Sequence, residues 1–171
     1  VAVCRAVQRV TGVRPQIKWP NDLVLSGKKI CGILTEMSTD LDSIRYIIVG
    51  IGINVNTPDF PEDIAATATS LYLESGKPWK RSELIAAIMK RMEQYYEIFL
   101  KTADLSGLKE EYESKLANLG RQVKVLAPKQ EYCGICRGIT EGGELLVERE
   151  DGSISQVMSG EVSVRGIYGY V

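Results

Sequence analysis

The sequence changes in texture near Leu119–Arg121, and this change constrains the fold more than any other feature. Upstream of it, helical periodicities alternate with β-rich stretches; downstream, short alternating strands are separated by Ala-Pro, Glu-Gly-Gly and Asp-Gly turn signals. Five short antiparallel strands in the downstream part predict a small β-barrel. We therefore expect an α/β (α+β) chain of two domains. Residues 1–119 would form a mixed β-sheet packed with helices, and residues 120–171 the barrel.

The upstream part begins with apolar residues at helical spacing, and Gly12 predicts the end of this first helix. A strand over 16–19 and a hairpin that turns at Gly27 are expected next. The most apolar run of the chain, Tyr46–Ile53, is a β-branched stretch. Such a run is typical of a central strand that is buried on both faces.

Two longer helices are predicted before the change in texture. The first covers about residues 82–101 with Ser82 as its N-cap, and the second covers about 106–118. A turn or short helix over 65–75 comes before them. One face of the first of these helices is apolar at helical spacing, which predicts packing on a large surface: Ile85, Ile88, Met89, Met92, Tyr96 and Phe99.

Composition excludes several classes of protein. The 171 residues are 44% hydrophobic and 25% charged, values typical of globular proteins. No stretch approaches the about 20 apolar residues of a membrane span, and a pI of about 5.7 argues against a nucleic-acid surface. Because the sequence has no histidine, a Ser-His-Asp triad, a Cys-His pair and a His-ligated zinc are excluded. Acid–base chemistry near neutral pH then falls to lysine, tyrosine, cysteine or a perturbed carboxylate.

The four cysteines are too few for a disulfide scaffold, so we expect a reducing, cytoplasmic location. Cys133 and Cys136 have the spacing of a redox or zinc motif. They lie, however, in an alternating strand pattern, where residues three apart point to opposite faces. Two small strand residues that are buried or half-buried, without redox or metal chemistry, are the favoured interpretation.

The densest polar information lies in the segment Lys18-Trp19-Pro20-Asn21-Asp22, at the end of the first strand. A structural interpretation is an Asx-type turn, in which the asparagine and aspartate bond their own backbone. A functional interpretation joins Lys18 with Lys29, at the start of the returning hairpin strand, in a site for a phosphate or carboxylate. For Lys29 and its neighbour Lys28, the alternative is a solvated hairpin surface.

The sequence Gly50-Ile51-Gly52-Ile53-Asn54 ends the apolar run. Two glycines separated by one residue let a backbone or a flat ligand approach closely. Neither G-x-G-x-x-G nor G-x-x-x-x-G-K-[ST] is present, so neither a Rossmann site nor a P-loop is predicted. Asn54 either reads a purine edge or caps the turn. Glu161 and Arg165, four residues apart in a late strand, either face one cleft or form a surface pair.

In this order, the motifs resemble those of the biotin–protein ligase family. The resemblance rests on three segments: Lys18-Trp19-Pro20-Asn21-Asp22, Lys29-x-x-Gly32-Ile33-Leu34-x-Glu36, and Gly50-x-Gly52-Ile53-Asn54. The region from Arg121 onward is similar to the family's C-terminal SH3-like domain, on three further stretches: Gly138-Ile139, Gly142-Gly143 and Ser159–Arg165. The resemblance covers essentially the whole sequence.

The resemblance implies an ATP- and Mg²⁺-dependent enzyme. Such an enzyme couples biotin to AMP as biotinyl-5′-adenylate and transfers the acyl group to a lysine of a biotin carboxyl carrier domain. Lys29 then contacts the biotin carboxyl and the adenylate phosphate, and Lys18 holds phosphate charge. Asn21 and Asp22 position phosphates, and Asp22 is also the candidate Mg²⁺ ligand.

The other contacts that the resemblance implies can be grouped by the ligand concerned. Gly32, Ile33 and Leu34 line the biotin pocket, and Gly50 and Gly52 are further cofactor-binding residues. Asn54 meets adenine and ribose. Glu161 and Arg165 close over the nucleotide from the small domain.

One part of the family pattern is absent from the sequence, namely the Gly-Arg-Gly-Arg-x-x-Arg loop that precedes the first helix in the family and folds over the adenylate. The winged-helix DNA-binding segment of some members is absent too. Since the sequence enters a helix directly after Val1, we expect a C-terminal part of a ligase, without repressor activity or unaided catalysis. An uncovered sheet and an uncovered face of the first helix should then favour self-association.

Two other functions stay open at this point. A lipoate or octanoate ligase resembles this fold, although the Lys-Trp-Pro-Asn-Asp string and the small barrel favour biotin. A non-catalytic ligand-binding or dimerisation module is the alternative from another class, and the missing arginine loop favours it. A homodimer is compatible with these functions, and neither a DNA nor a membrane partner is expected.

Overall fold

The computed structural model describes residues 1–40, 43–126, 131–159, 163–166 and 170–171. The helices and strands formed by these residues follow one another as α1 Ala2–Thr11, β1 Gln16–Lys18, β2 Asp22–Leu25, β3 Lys28–Thr39, β4 Ile44–Ile53, α2 Glu62–Ala65, α3 Leu71–Ser75, α4 Arg81–Thr102, α5 Lys109–Glu113, β5 Gln122–Leu126, β6 Tyr132–Ile139, β7 Leu145–Glu148, β8 Ile154–Val157 and β9 Ser163–Gly166. The predicted α/β class is confirmed.

The first sheet contains β1 to β4 in sequence order, and each strand pairs antiparallel with the next. Ser26 and Gly27 both have positive φ, 51° and 75°, as the tight turn of a two-residue hairpin requires. The hairpin expected at Gly27 is therefore confirmed. Instead of a mixed sheet, the described strands pair antiparallel throughout, and parallel pairing is limited to the isolated bridges Ile17–Leu116 and Lys29–Ala68.

A hydrophobic core lies between the first half of this sheet and the helices. α1 buries Val3 and Val7 and packs against α4. It ends at Gly12, whose φ of 79° lies in the left-handed region, so the predicted helix end is confirmed. Ile30 on β3 and Leu71 on α3 are fully buried in the same core.

The strand predicted to be central lies at the edge of the first sheet. Among the described strands, β4 pairs with β3 alone, and its side chains are mostly exposed. Ile47 and Ile48, for example, are each 53% exposed. The prediction that Tyr46–Ile53 is buried on both faces is therefore wrong for this chain. The apolar run does form a strand, but burial needs neighbouring layers that the described residues do not supply.

The long helix α4 covers Arg81–Thr102, close to the predicted 82–101. Its N-cap is Lys80, without a side-chain hydrogen bond, rather than the predicted Ser82. The buried residues of α4 are Leu84 and Ile88. The apolar face predicted to be covered is instead largely exposed, at Ile85, Met89, Tyr96 and Phe99.

The other predicted helices are shorter than expected. The segment 65–75 contains the end of α2 and all of α3, and Ser70 caps α3 by accepting a bond from the Leu73 amide at 3.1 Å. The segment 106–118 contains only the short α5. Past α5 the chain pairs with β1, where the Ile17 amide donates to the Lys115 carbonyl at 2.7 Å.

The second sheet has the strand order β8-β7-β6-β5-β9, with antiparallel pairing throughout. The five predicted strands of the downstream part are thus confirmed, while the domain boundary at residues 119–120 stays a prediction. Cys136 is buried as expected, but Cys133 is exposed rather than buried or half-buried, because the two residues lie on opposite faces of one strand. Among the described helices, none is both long and apolar enough to cross a membrane.

Candidate functional site

A buried carboxylate between two lysines forms the centre of the candidate site. Lys18 and Asp22 are register partners at the ends of β1 and β2, and Asp22 is also paired with Gly32 on β3. Lys29 Nζ lies 2.6 Å from Asp22 Oδ1, and Lys18 Nζ lies 4.0 Å from Asp22 Oδ2. The hairpin therefore brings together three charged groups from one short stretch of sequence.

The charged groups differ in their exposure. Lys18 and Asp22 are buried, whereas the side chain of Lys29 is 41% exposed. Desolvation lowers the pKa of Lys18, and the nearby Asp22 carboxylate opposes that shift. The Lys29–Asp22 contact is an ion pair without hydrogen-bond geometry, and Asp22 Oδ1 has no hydrogen-bond partner among the described residues. Asp22 Oδ1 is therefore held by the charge of Lys29 and has a remaining lone pair for a further donor or cation.

Tyr170 completes this cluster from the far end of the sequence. Its hydroxyl donates to Asp22 Oδ2, and Lys18 Nζ lies 4.3 Å from the centroid of its ring. Burial and this hydrogen bond raise the pKa of the Tyr170 phenol. Sequence analysis did not single out Tyr170, since it is 148 residues from Asp22 and lies in no recognisable motif.

Gly32 makes room for the ion pair. A Cβ added at this residue would meet Lys29 Nζ at 3.1 Å and Asp22 Oδ1 at 3.5 Å. A side chain there would therefore force the flexible end of Lys29 away from the carboxylate. The predicted glycines Gly50 and Gly52 lie on β4, opposite Leu34 and Gly32 respectively.

The two predicted asparagines are fixed by backbone groups. Asn21 Nδ2 donates to the Ile33 carbonyl at 2.8 Å, and the Ile33 amide donates back to the Asn21 carbonyl at 2.9 Å. Asn54 Nδ2 donates to the Thr69 carbonyl at 3.1 Å. In both residues the amide nitrogen is engaged with the protein. The side-chain oxygen is the group that could receive a hydrogen bond from a ligand.

Two cavities flank the cluster. The first has a volume of about 640 Å³ and the second about 520 Å³. The first is lined by Lys18, Trp19, Pro20, Asn21, Asp22, Ile33, Leu34, Thr35, Ser159, Val164, Arg165 and Tyr170. The second is lined by Lys29, Ile30, Cys31, Gly32, Gly52, Ile53, Asn54, Phe60, Ile64, Thr67, Ala68 and Tyr170. Tyr170 lines both and stands between them.

The structure brings most of the predicted residues to these cavities and separates a few. Ile33 and Leu34 line the first cavity, while Gly32 lines the second, so the three do not line one common pocket. Gly50 lines neither cavity. Glu161 lies outside the described residues. Besides Tyr170, the cavity residues that lie in no predicted motif come from the segment between β4 and α3, which includes α2: Phe60, Ile64, Thr67 and Ala68.

The site lies where the two sheets meet. Trp19 is buried, and its indole Nε1 donates to the Gly143 carbonyl at 3.0 Å, which ties the first sheet to a turn of the second. Arg165 on β9 reaches the first cavity from the second sheet. Cationic groups from both sheets therefore line one cavity, a combination suited to an anionic ligand.

Comparisons with known protein families agree with the fold and the site. The family model described as "Biotin/lipoate A/B protein ligase family" matches residues 1–54, and the one described as "Biotin protein ligase C terminal domain" matches residues 119–165. These matches define a class of enzymes that attach biotin or lipoate to proteins. Within that class, the chain belongs to the biotin protein ligase family.

Individual relatives support the same family. The chain is 34% identical over 166 residues to the "Bifunctional ligase/repressor BirA" of Bacillus subtilis, covering 96% of this chain and 50% of that protein. It is 38% identical to the biotin protein ligase of Aquifex aeolicus, with a TM-score of 0.85 over 96% of this chain and 71% of that one. A structure of the Aquifex enzyme with biotin and ATP matches with a TM-score of 0.83, at 36% identity, over 96% of this chain and 68% of that one. The chain spans about half the length of the BirA relatives it matches.

Proposed function

We propose that this protein acts in biotin–protein ligation. In the proposed reaction, a biotin carboxylate oxygen attacks the α-phosphorus of ATP, pyrophosphate leaves, and biotinyl-5′-AMP forms. The ε-amine of a lysine on a biotin carboxyl carrier domain then attacks the acyl carbon, and AMP leaves as an amide forms. The observation that carries the proposal is the Asp22 carboxylate held between Lys18 and Lys29 beside two cavities, in a member of the biotin protein ligase family.

The first step needs positive charge because it brings a carboxylate to a triphosphate. Lys29 suits this role, since its Nζ lies next to Asp22 but its side chain remains partly exposed to an incoming ligand. Lys18 is more deeply buried and would hold phosphate charge from beneath the first cavity. Arg165 would add a third cation from the second sheet, with Glu161 proposed to close over the nucleotide beside it.

The two cavities suggest how the ligands would divide. The second cavity is lined by Gly32, Gly52 and Asn54. The two glycines leave space for a flat ligand, and the side-chain oxygen of Asn54 can accept a hydrogen bond from a purine. The first gathers Lys18, Asn21 and Asp22 and suits phosphate groups. Ile33 and Leu34 would add apolar surface for the biotin ring along β3. The Aquifex enzyme has been solved in complex with biotin and in complex with biotin and ATP, which supports two adjoining ligand sites.

Mg²⁺ fits this site through Asp22. Its Oδ1 is buried and lies 2.6 Å from Lys29 Nζ, so an ion bound there would share this oxygen with the ammonium. The described residues contain no group of three or more acidic or cysteine side chains that could hold a metal by themselves. An ion there would take its remaining ligands from phosphate oxygens and water, as Mg²⁺ in nucleotide sites commonly does, and would neutralise phosphate charge.

The organisation and setting follow the same proposal. Residues 1–119 would be the C-terminal part of a ligase catalytic domain, and residues 120–171 an SH3-like domain that supplies Arg165. The macromolecular partner would be the carrier domain of a biotin-dependent carboxylase. We place this reaction in the cytoplasm, where four cysteines without disulfides are compatible with reducing conditions.

The first test compares two adjacent lysines on β3. We expect Lys29→Ala to weaken binding of biotinyl-5′-AMP by about 100-fold and to abolish biotin-dependent ATP–pyrophosphate exchange, because a charged contact to carboxylate and phosphate is lost. Lys28→Ala is the matched control, since Lys28 Nζ bonds only the Ala65 carbonyl among the described residues. Calorimetry measures binding, and radiolabelled pyrophosphate measures exchange.

An assay with lipoate in place of biotin distinguishes the proposed biotin ligase from the alternative, a lipoate ligase. Exchange that depends on lipoate rather than biotin would favour a lipoate ligase, and equal loss in Lys28→Ala and Lys29→Ala would contradict the role of Lys29. Folded protein that binds biotinyl-5′-AMP but shows no ATP–pyrophosphate exchange would support the ligand site. It would also agree with the expectation that this chain does not catalyse the reaction unaided. Protein that binds none of these ligands would favour the remaining alternative, a non-catalytic module.

A further inference from the structure

Tyr170 occupies an unusual position in the candidate site. Of the residues that the structure describes, it alone lines both cavities, and its hydroxyl and its ring both contact the charged centre. The hydroxyl donates to Asp22 Oδ2, while the ring lies 4.3 Å from Lys18 Nζ. The phenol therefore satisfies the carboxylate oxygen that faces away from Lys29, whose Nζ is 2.6 Å from Oδ1.

We propose that Tyr170 is a positioning residue that holds Asp22 and Lys18 in place for the nucleotide phosphates and forms the wall between the two cavities. This inference rests on the function proposed above. Its role is not to react, since the hydroxyl is bonded to Asp22 rather than aimed into open space. It acts through the orientation of two charged side chains.

The chemistry of the three groups explains why this tyrosine would matter. A buried ammonium is stable only with charge or π-electron partners, and Lys18 has Asp22 at 4.0 Å on one side and the Tyr170 ring on another. A carboxylate with one oxygen fixed by a phenol and the other by an ammonium has little freedom to rotate. Removal of the phenol would release both side chains from the geometry in which they meet phosphate.

Tyr170 also links the two sheets functionally. It follows β9 in sequence, the strand that carries Arg165, and both residues line the first cavity. Contact of Tyr170 with Asp22 on β2 therefore anchors the end of the second sheet against the first at the point where Arg165 enters the cavity. Loss of this anchor should affect ATP more than biotin, since the cations concerned are those proposed for phosphate.

The test uses two substitutions of the same residue. Tyr170→Phe removes the hydroxyl and keeps the ring; Tyr170→Ala removes both. We expect Tyr170→Phe to raise the Kd for ATP about tenfold, with the Kd for biotin changed less than about threefold. That factor corresponds to loss of about one hydrogen bond to a charged group. Tyr132→Phe is the control, because Tyr132 stacks with Arg149 in the second sheet, away from both cavities.

A second measurement needs no ligand. Competitive acylation followed by mass spectrometry reports the reactivity of each lysine, with Lys28 as the internal reference. Lys18 is 7% exposed in the intact site. We expect Tyr170→Ala to increase its labelling several-fold, whereas Tyr170→Phe, which retains the ring over the ammonium, should increase it little.

The outcomes separate this inference from the proposed function. Wild-type protein that binds neither ATP nor biotinyl-5′-AMP would contradict the proposed function and the phosphate role of Tyr170 with it. Lysine labelling would still decide whether Tyr170 covers Lys18. Wild-type protein that binds both, with Tyr170→Phe indistinguishable from it and Lys18 labelling unchanged in Tyr170→Ala, would overturn the positioning role alone.

Discussion

The first sheet contains two regions of similar composition and opposite surroundings. The hairpin region, residues 16–31, buries nearly every apolar side chain it has, including Leu23, Val24 and Ile30. The exposed arm, residues 34–39 and 44–50, is equally rich in apolar residues and leaves them in contact with solvent. The two regions differ in the helices and strands that surround them. The hairpin region packs under α1 and is flanked by strands, whereas β4 is flanked by β3 alone among the described strands.

This comparison shows what an apolar strand pattern establishes. It predicts the strand, because β-branched residues favour extended backbone, but it predicts burial only where another layer of the same chain covers that strand. The charged centre of the candidate site lies on the covered side, whereas Leu34 and Thr35 of the exposed arm line the first cavity beside it. Its charges need a low-dielectric, rigid setting, and the hairpin region supplies one.

The largest difference between the regions should appear in core truncations. We expect Ile30→Ala to lower the free energy of unfolding by about 2–5 kcal/mol, because a fully buried side chain leaves a cavity. Ile48→Ala on the exposed arm is the matched change, and we expect at most about 1 kcal/mol from lost strand propensity. Urea unfolding followed by circular dichroism measures both. Equal losses would mean that a layer absent from the described contacts covers the arm in solution.

Charged residues provide a second, smaller contrast. Asp22→Asn removes the partner of two lysines, one of them buried, and should lower the unfolding free energy by about 2 kcal/mol. Asp40→Asn removes an exposed partner of Arg45 and should change it by less than about 1 kcal/mol. The same urea titrations apply. A larger effect at Asp40 than at Asp22 would contradict the view that burial, rather than charge pairing itself, distinguishes the regions.

Much of this pattern can be predicted from the sequence, because it depends on local signals. The αL glycine at Gly12, the tight turn at Gly27 and the alternation of Cys133 and Cys136 each follow from a few adjacent residues, and each prediction is confirmed. The pairing of Lys18 with Lys29 around Asp22 is also local, since three consecutive strands within residues 16–31 carry all three.

The predictions that fail depend on contacts between distant parts of the chain. Of the apolar face predicted on α4, Ile88 is buried but most other residues are exposed, whereas Leu84, outside that face, is buried. α4 packs against α1, a contact that the periodicity of α4 does not specify. Tyr170 contacts Asp22 although 148 residues separate them in the sequence, and it lies in no motif that would predict this contact. Exposure of β4 confirms the expectation of an uncovered sheet surface, while the apolar face of α1 is covered, contrary to expectation. Self-association of the exposed arm stays a prediction.

The smallest expected effect concerns the pH dependence of stability. Burial lowers the pKa of Lys18 from 10.5, with Asp22 opposing the shift, so the folded state binds fewer protons than the unfolded state just below pH 10.5. Stability contributed by this residue must therefore rise with pH through the window from its lowered pKa to 10.5. Lys18→Met should remove that rise, so the wild type gains stability over the variant as the pH approaches 10.5.

Lys124 in the second sheet provides a control of opposite sign. Its hydrogen bond to Glu131, 2.6 Å away, raises the pKa of this exposed ammonium above 10.5. The stability that it contributes is complete below pH 10.5 and is lost as the pH rises through the raised pKa, so the wild type should lose stability relative to Lys124→Met there. Urea unfolding between pH 8 and 11 measures both differences. Parallel changes in the two variants would show that burial of Lys18 does not outweigh its attraction to Asp22, and that the lysine is stabilised in its charged form.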